Sequence, residues 1–106
     1  MSCYAPMINE SGGGTIVTEV ELGASSDRID IVAGNYAYID LTIPEEGYIP
    51  VGWCISNIKS MVGGKYMNLN GLFRYQSGVW RFILGNVGAE DCTKVWFIIK
   101  ILWVKA

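Results

Sequence analysis

The segment KVWFIIKILWVKA, residues 94–106, limits the possible folds more than any other part of the chain. Between residues 95 and 104 the only charged side chain is Lys100. The run is too short for a membrane-crossing helix, which needs about 20 apolar residues. Its β-branched and aromatic residues favour an extended strand. Successive side chains of a strand point to opposite faces. Val95, Phe97, Ile99, Ile101 and Trp103 therefore share one side, which is wholly apolar and belongs in a core. Lys94, Trp96, Ile98, Lys100, Leu102 and Val104 share the other, where four of six side chains are large and apolar. Such a strand needs a layered structure, because a facing sheet covers only one of its two sides.

The rest of the chain reads the same way. In TIVTEVEL (15–22), Ile16, Thr18, Val20 and Leu22 alternate with Val17, Glu19 and Glu21. In YAYIDLTI (36–43), Ala37, Ile39, Leu41 and Ile43 face one way and Tyr36, Tyr38, Asp40 and Thr42 the other. Such a period of two marks half-buried strands. Further strands are expected at 28–33, 48–56, 66–75 and 79–84, separated by Gly-, Pro- and Asn-rich turns. Pro50 places its strand at an edge or a bulge, and Gly71 signals a bend or bulge. Gln76-Ser77-Gly78 reads as a three-residue hairpin loop, and 57–65 and 85–93 read as the two long loops. No window of twelve residues carries a helical period. The expected fold is all-β, with seven to eight strands in a sandwich or barrel. It occupies residues 15–106 behind a flexible arm, 1–14, that contains Ser11-Gly12-Gly13-Gly14.

The second side of the terminal strand then asks for a cover. Burying Trp96, Ile98, Leu102 and Val104 is worth about 6–12 kcal/mol at about 1.5–3 kcal/mol each. Association costs about 4–15 kcal/mol, so neighbours such as Tyr36, Tyr38, Trp53 and Trp80 must add area. Apolar residues make up 51% of the chain and charged ones 17%, below the usual quarter. That excess favours a homo-oligomer with Trp96, Ile98, Leu102 and Val104 at its interface. The alternative is the arm, 1–14, folded back over the same side.

Composition excludes much chemistry. Histidine is absent, which removes Ser-His-Asp and Cys-His nucleophiles and imidazole metal sites. Three cysteines without a CxxC pair argue against a disulfide scaffold and fit reduced thiols in a cytosol. Net charge is −2 with eight scattered basic residues, unlike a nucleic-acid-binding surface. The start of the chain has no basic segment followed by an apolar run, so no signal peptide is read. No membrane insertion is expected. Glu90-Asp91 lacks the ligand set of a calcium loop, and acidic neighbours raise the pKa of Cys92 rather than activating it. Glu45-Glu46 diverge on a turn and make no facing carboxylate pair. No enzyme, cofactor or metal is expected.

AGNYAYIDLTIPEEGYIPVGW, residues 33–53, resembles a stretch in the C-terminal domains of tail-fibre and baseplate proteins from phages and prophages of Gram-positive bacteria. The likeness is carried by Ala33-Gly34, Tyr36, Pro44, Gly47-Tyr48, Pro50 and Gly52. It continues through Gly71 to Leu84, Asn86 and Leu102-Trp103-Val104-Lys105. The resemblance implies a jelly-roll-like antiparallel β-sandwich, usually trimeric, at the distal end of a fibre. There it would touch the host cell surface, often its saccharides, sometimes a protein. It further implies a virion tail component assembled in the bacterial cytoplasm. The chain departs from the pattern in having no long helical or repetitive shaft, and no binding motif carries over position by position.

Candidate contacts follow from strand direction. Simple alternation places the turns at 23–27, 44–47 and 75–78 at one end, with the loops 57–65 and 85–93 and the arm at the other. Asp27, Glu46, Tyr75 and Gln76 would then meet a polar ligand, Tyr75 offering a ring to a sugar; the plain alternative is that they are solvated turns. Arg74, Trp80 and Arg81 form a second group across the hairpin, where Arg over Trp would frame an acidic saccharide or simply pack as a cross-strand pair. The function expected is a non-enzymatic, homotrimeric tail-tip module that binds a host receptor. The alternatives are a structural domain that trimerises and caps a fibre, or a small cell-wall hydrolase.

Overall fold

A computed structural model describes residues 14–106. The terminal strand β7 (Cys92–Lys105) runs down the middle of the first sheet. Along one edge it pairs with β1 (Thr15–Leu22) and then β2 (Ile29–Ile31), and along the other with β4 (Tyr48–Val62). The second sheet has β6 (Val79–Asn86) between β3 (Tyr36–Leu41) and β5 (Leu69–Gln76). Every pairing is antiparallel, and the chain crosses between the layers four times. The fold is thus an all-β sandwich of seven strands among the described residues, as the alternation predicted.

The core lies where the odd side of β7 meets the second sheet. Val95, Phe97, Ile99, Ile101 and Trp103 are each 0% exposed. Trp53 of β4 reaches across to Phe82 of β6, ring centres 5.3 Å apart, and Phe73 adds a second tilted contact at 5.5 Å. Gly71 makes room for this stack. A Cβ there would lie 2.6 Å from Trp53 and 2.7 Å from Phe82. Its strand keeps an unbroken register, so the expected bulge is replaced by a packing role. The indole N–H of Trp103 is buried but donates to Thr18 Oγ1 at 2.9 Å, so its burial leaves no polar group unpaired.

Several boundaries differ from expectation. β4 continues through 57–62, where the sequence predicts a loop, because four register shifts break its period of two. One shift falls at Pro50/Gly52 on this edge strand, where the proline was expected. A 3-10 turn, Tyr66–Asn68, precedes β5. The β5–β6 connection is a two-residue turn, Ser77-Gly78, since Gln76 pairs with Val79.

The ends of the sandwich are also redistributed. The loop 44–47 and the turn 77–78 do share an end, since β3 finishes opposite Trp80 and Gly47 O accepts from Ala106 N. The carbonyl of Gly14 accepts from Lys105 N at 2.9 Å, which brings residue 14 to that same end, not to the opposite one. The turn 23–27 lies farther along, where Gly23 packs on Val95 and Trp96. At the far end Asn86, 2% exposed, ties the layers together. Its Nδ2 donates to Ile31 O and Glu90 O, and its Oδ1 accepts from Gly88 N.

The even side of β7 is less bare than its sequence implied. Leu102 is 9% exposed within its own chain, and Trp96, Ile98 and Val104 are half-buried. Trp96 Nε1 donates to Glu21 Oε2 at 2.6 Å, and Lys59 Nζ stands 5.7 Å from its ring centre. Glu19 is opposite Lys100. Charged neighbours therefore frame the apolar stripe. The alternative cover, 1–14, lies outside the described residues apart from Gly14. Cys54 is disulfide-bonded, against the expectation of reduced thiols, while Cys92 is free and buried.

Candidate functional site

Exposed aromatic and apolar side chains gather on the outer face of the second sheet. Register puts them in rows. Tyr36, Gly85 and Asn70 form the first row, and Tyr38, Ile83 and Leu72 the second. Asp40, Arg81 and Arg74 form the third, and Val79 and Gln76 the last. Tyr36, Tyr38 and Leu72 are 62%, 51% and 53% exposed, which makes this face apolar at one end and charged at the other.

The charged row has a defined geometry. Arg81 Nε donates to Asp40 Oδ1 at 2.8 Å, with a second contact from Nη2 to Oδ2 at 3.5 Å. The guanidinium carbon lies 3.8 Å from the centre of the Tyr38 ring. The hydrogen bond to Asp40 raises the Arg81 pKa further, so the group stays charged at any working pH. Arg74 stands directly opposite Arg81 on β5. Between them is a groove of about 230 Å³ lined by Asp40, Arg74, Gln76, Ser77, Val79 and Arg81. A second depression of about 320 Å³ lies over the first rows, bounded by Tyr36, Asn70, Leu72, Ile83 and Val87. Gly85 forms part of its floor, and a Cβ there would meet nothing closer than 3.8 Å.

Of the residues expected at a site, the structure brings together Arg74, Gln76 and Arg81. Trp80 and Tyr75 belong to the same hairpin but to its other side. Their rings are 4.9 Å apart, and Trp80 packs on the core. The expected Arg-over-Trp pair is therefore replaced by Arg81 over Tyr38, because adjacent residues of a strand cannot share a face. Asp27 is exposed in a turn closed by Ala24 and Asp27 backbone bonds. It follows β1 in the first sheet, and Glu46 sits in the loop leading to β4; neither lines the groove. Sequence reasoning missed Asp40, Tyr38 and Ser77 as site residues. Alternation had put Tyr38 and Asp40 on an outer face, but only the β3–β6 pairing sets them beside Arg81.

The expected interface residues lie on the opposite sheet. Trp96 and Ile98 line a shallow depression of about 530 Å³ with Glu19, Glu21, Lys59 and Lys100. Among the described residues no group of three or more Cys, Asp or Glu side chains could hold a metal. No helix among them is long and apolar enough to cross a membrane. Burial is the main cause that pushes the Cys92 thiol up. A backbone hydrogen bond at Lys65 partly opposes it, and Asp91 and Glu90 add to it. No family model matches the chain, and neither a curated protein nor a solved structure matches it.

Proposed function

We propose that the chain is a non-catalytic tail-tip module, of the kind its sequence resembles, that binds a saccharide on a host cell surface. The observation that carries this reading is the outer face of β3, β6 and β5. Its exposed tyrosines and its groove between two arginines offer ring faces and hydrogen-bond donors on one rigid sheet. Aromatic rings supply apolar contact at small entropic cost, and Arg, Gln and Ser side chains supply direction. Among the described residues the only carboxylate in the groove, Asp40, is held by Arg81, an arrangement that favours recognition over acid–base chemistry.

In this reading the module acts as a homotrimer. The first sheet turns its outer side, with Trp96, Ile98 and Val104, toward its sister copies, and the second sheet turns outward. Both charge signs in the first-sheet depression suit a contact between like chains. Three linked copies convert weak single contacts into useful avidity. A purely structural cap for a fibre is the second reading, favoured by the apolar rows that hold Tyr36, Tyr38 and Leu72. Screening the purified chain against host-wall glycans tests the choice. Binding that is lost in Tyr38→Ala supports the receptor role. Silence across the set with an intact trimer supports the cap, and sustained release of reducing ends would overturn both.

A further inference from the structure

The chemistry of the groove narrows the class of ligand. We infer that the space between Arg74 and Arg81 takes an oxyanion, a phosphodiester or a carboxylate, carried on a surface polymer whose uncharged portion lies over Tyr36, Leu72 and Ile83. This rests on the receptor-binding reading above.

Four observations lead to it. First, Arg74 and Arg81 are cross-strand partners. Like charges directly opposite one another destabilise a sheet, and a break in local consistency of this kind is expected where function demands it. Second, Asp40 offsets only one of the two charges. It engages the Nε and Nη2 edge of Arg81, which leaves Nη1 directed elsewhere. The side chain of Arg74 makes no hydrogen bond or ion pair among the described residues. Third, Arg81 is already held in place by Asp40 on one side and the Tyr38 ring beneath it. A guanidinium fixed before binding loses little entropy when an oxyanion arrives, and its planar fork matches two oxygens at once. Fourth, the groove of about 230 Å³ is several times the ~30 Å³ of a water molecule, and Gln76 and Ser77 supply neutral donors at its rim.

A ligand that covers both the groove and the apolar depression must be extended. Gly85 and Arg81 are four residues apart on β6, about 13 Å at ~3.3 Å per residue. One ion cannot fill both places, whereas an anionic group carried on a longer uncharged segment can. The chain's net charge of −2 and the lack of a wider basic surface disfavour nucleic acid as that polymer.

Calorimetric titration of the purified chain with poly(glycerol phosphate), polygalacturonate and neutral dextran tests the inference. A parallel phosphate titration is followed through the arginine side-chain N–H signals by NMR. The expected result is binding of one or both polyanions, with dextran weaker by about tenfold or more. Raising salt from 0.1 to 1 M shortens the screening length from about 10 to about 3 Å and weakens that binding. Arg74→Gln lowers polyanion affinity by roughly tenfold or more, while Arg28→Gln, at an exposed position just before β2 in the first sheet, leaves it within about twofold. Which polyanion binds separates phosphodiester from carboxylate.

Dextran binding as tightly as the polyanions, with Arg74→Gln unchanged, overturns the oxyanion assignment and leaves the saccharide-receptor reading standing. If no polymer binds while phosphate still shifts the Arg74 and Arg81 signals, the anion site survives and the receptor reading falls. No polymer binding and no shift removes both. Oligothymidylate binding more tightly than either polyanion also overturns the assignment.

Discussion

Asn86 is a buried polar side chain, and it joins β2, β6 and the loop 87–91 through three backbone groups. Replacing it with Leu keeps the approximate volume but strands Ile31 O, Glu90 O and Gly88 N. Each unpaired buried group costs about 1–3 kcal/mol. Of the three bonds only the one to Ile31 O is fully buried, so Asn86→Leu is expected to lose about 1–3 kcal/mol in a urea denaturation curve. Cys92, beside it, sets a pH dependence. Its folded pKa is raised, chiefly by burial, so the native state favours the neutral thiol. That contribution is complete below the unfolded value, about pH 8.5, and is lost as pH rises from there through the folded value. The fall in stability with pH above about 8.5 should be shallower in Cys92→Ser than in the parent chain. Urea midpoints collected across that range measure the difference.

At the level of the strand, the β5–β6 hairpin shows how local chemistry fixes register. Ser77 (φ 53°) and Gly78 (φ 82°) are both left-handed, the arrangement of a type I′ turn whose twist matches the strands it joins. A side chain in that conformation costs about 1–2 kcal/mol, so Gly78→Ala should destabilise the domain by about 1 kcal/mol. Equilibrium unfolding gives the value directly. Turn and period signals made this hairpin legible in the sequence, and the same signals located β1, β3 and the core side of β7. They failed at β4, where bulges let Asn57, Lys59 and Ser60 continue a strand that their polarity disguised. They failed again at the site. Tyr38 and Arg81 are 43 positions apart in sequence, and nothing local declares that β3 lies beside β6. The rows of the second sheet come from long-range pairing, which depends on how two layers cover one core. The even side of β7 was misjudged for a related reason: the sequence exposes its four apolar groups, but Leu102 is covered in the folded chain.

For the whole molecule, the two sheets have outer sides of different character. The first is half-buried and framed by Glu19, Glu21, Lys59 and Lys100, and the second carries exposed tyrosines and the groove between Arg74 and Arg81. Assembly through the first requires a test residue that is not already part of the core. Leu102 is unsuitable on that ground, whereas Ile98 is half-buried beside the charged frame. Light scattering of the parent chain is expected to give three times the 11.7 kDa of one copy. Ile98→Arg should give the mass of one copy with a cooperative unfolding transition retained. An unchanged mass would move the contact away from this side of the molecule.

The central position of β7 has a kinetic consequence. Thr18 and Trp103, which share a hydrogen bond, are 85 residues apart, so the β1–β7 pairing closes a very large loop and forms later than the β4–β7 pairing, whose Val62 and Thr93 are 31 residues apart. Yet Gly14 and Lys105 touch. Rearranging the gene so that residue 105 leads by a short linker into residue 14, with new ends opened between Gly63 and Gly64, would make β7 and β1 consecutive. The slowest encounter in folding would then become a neighbourly one, and the sandwich would assemble faster without the loss of any strand.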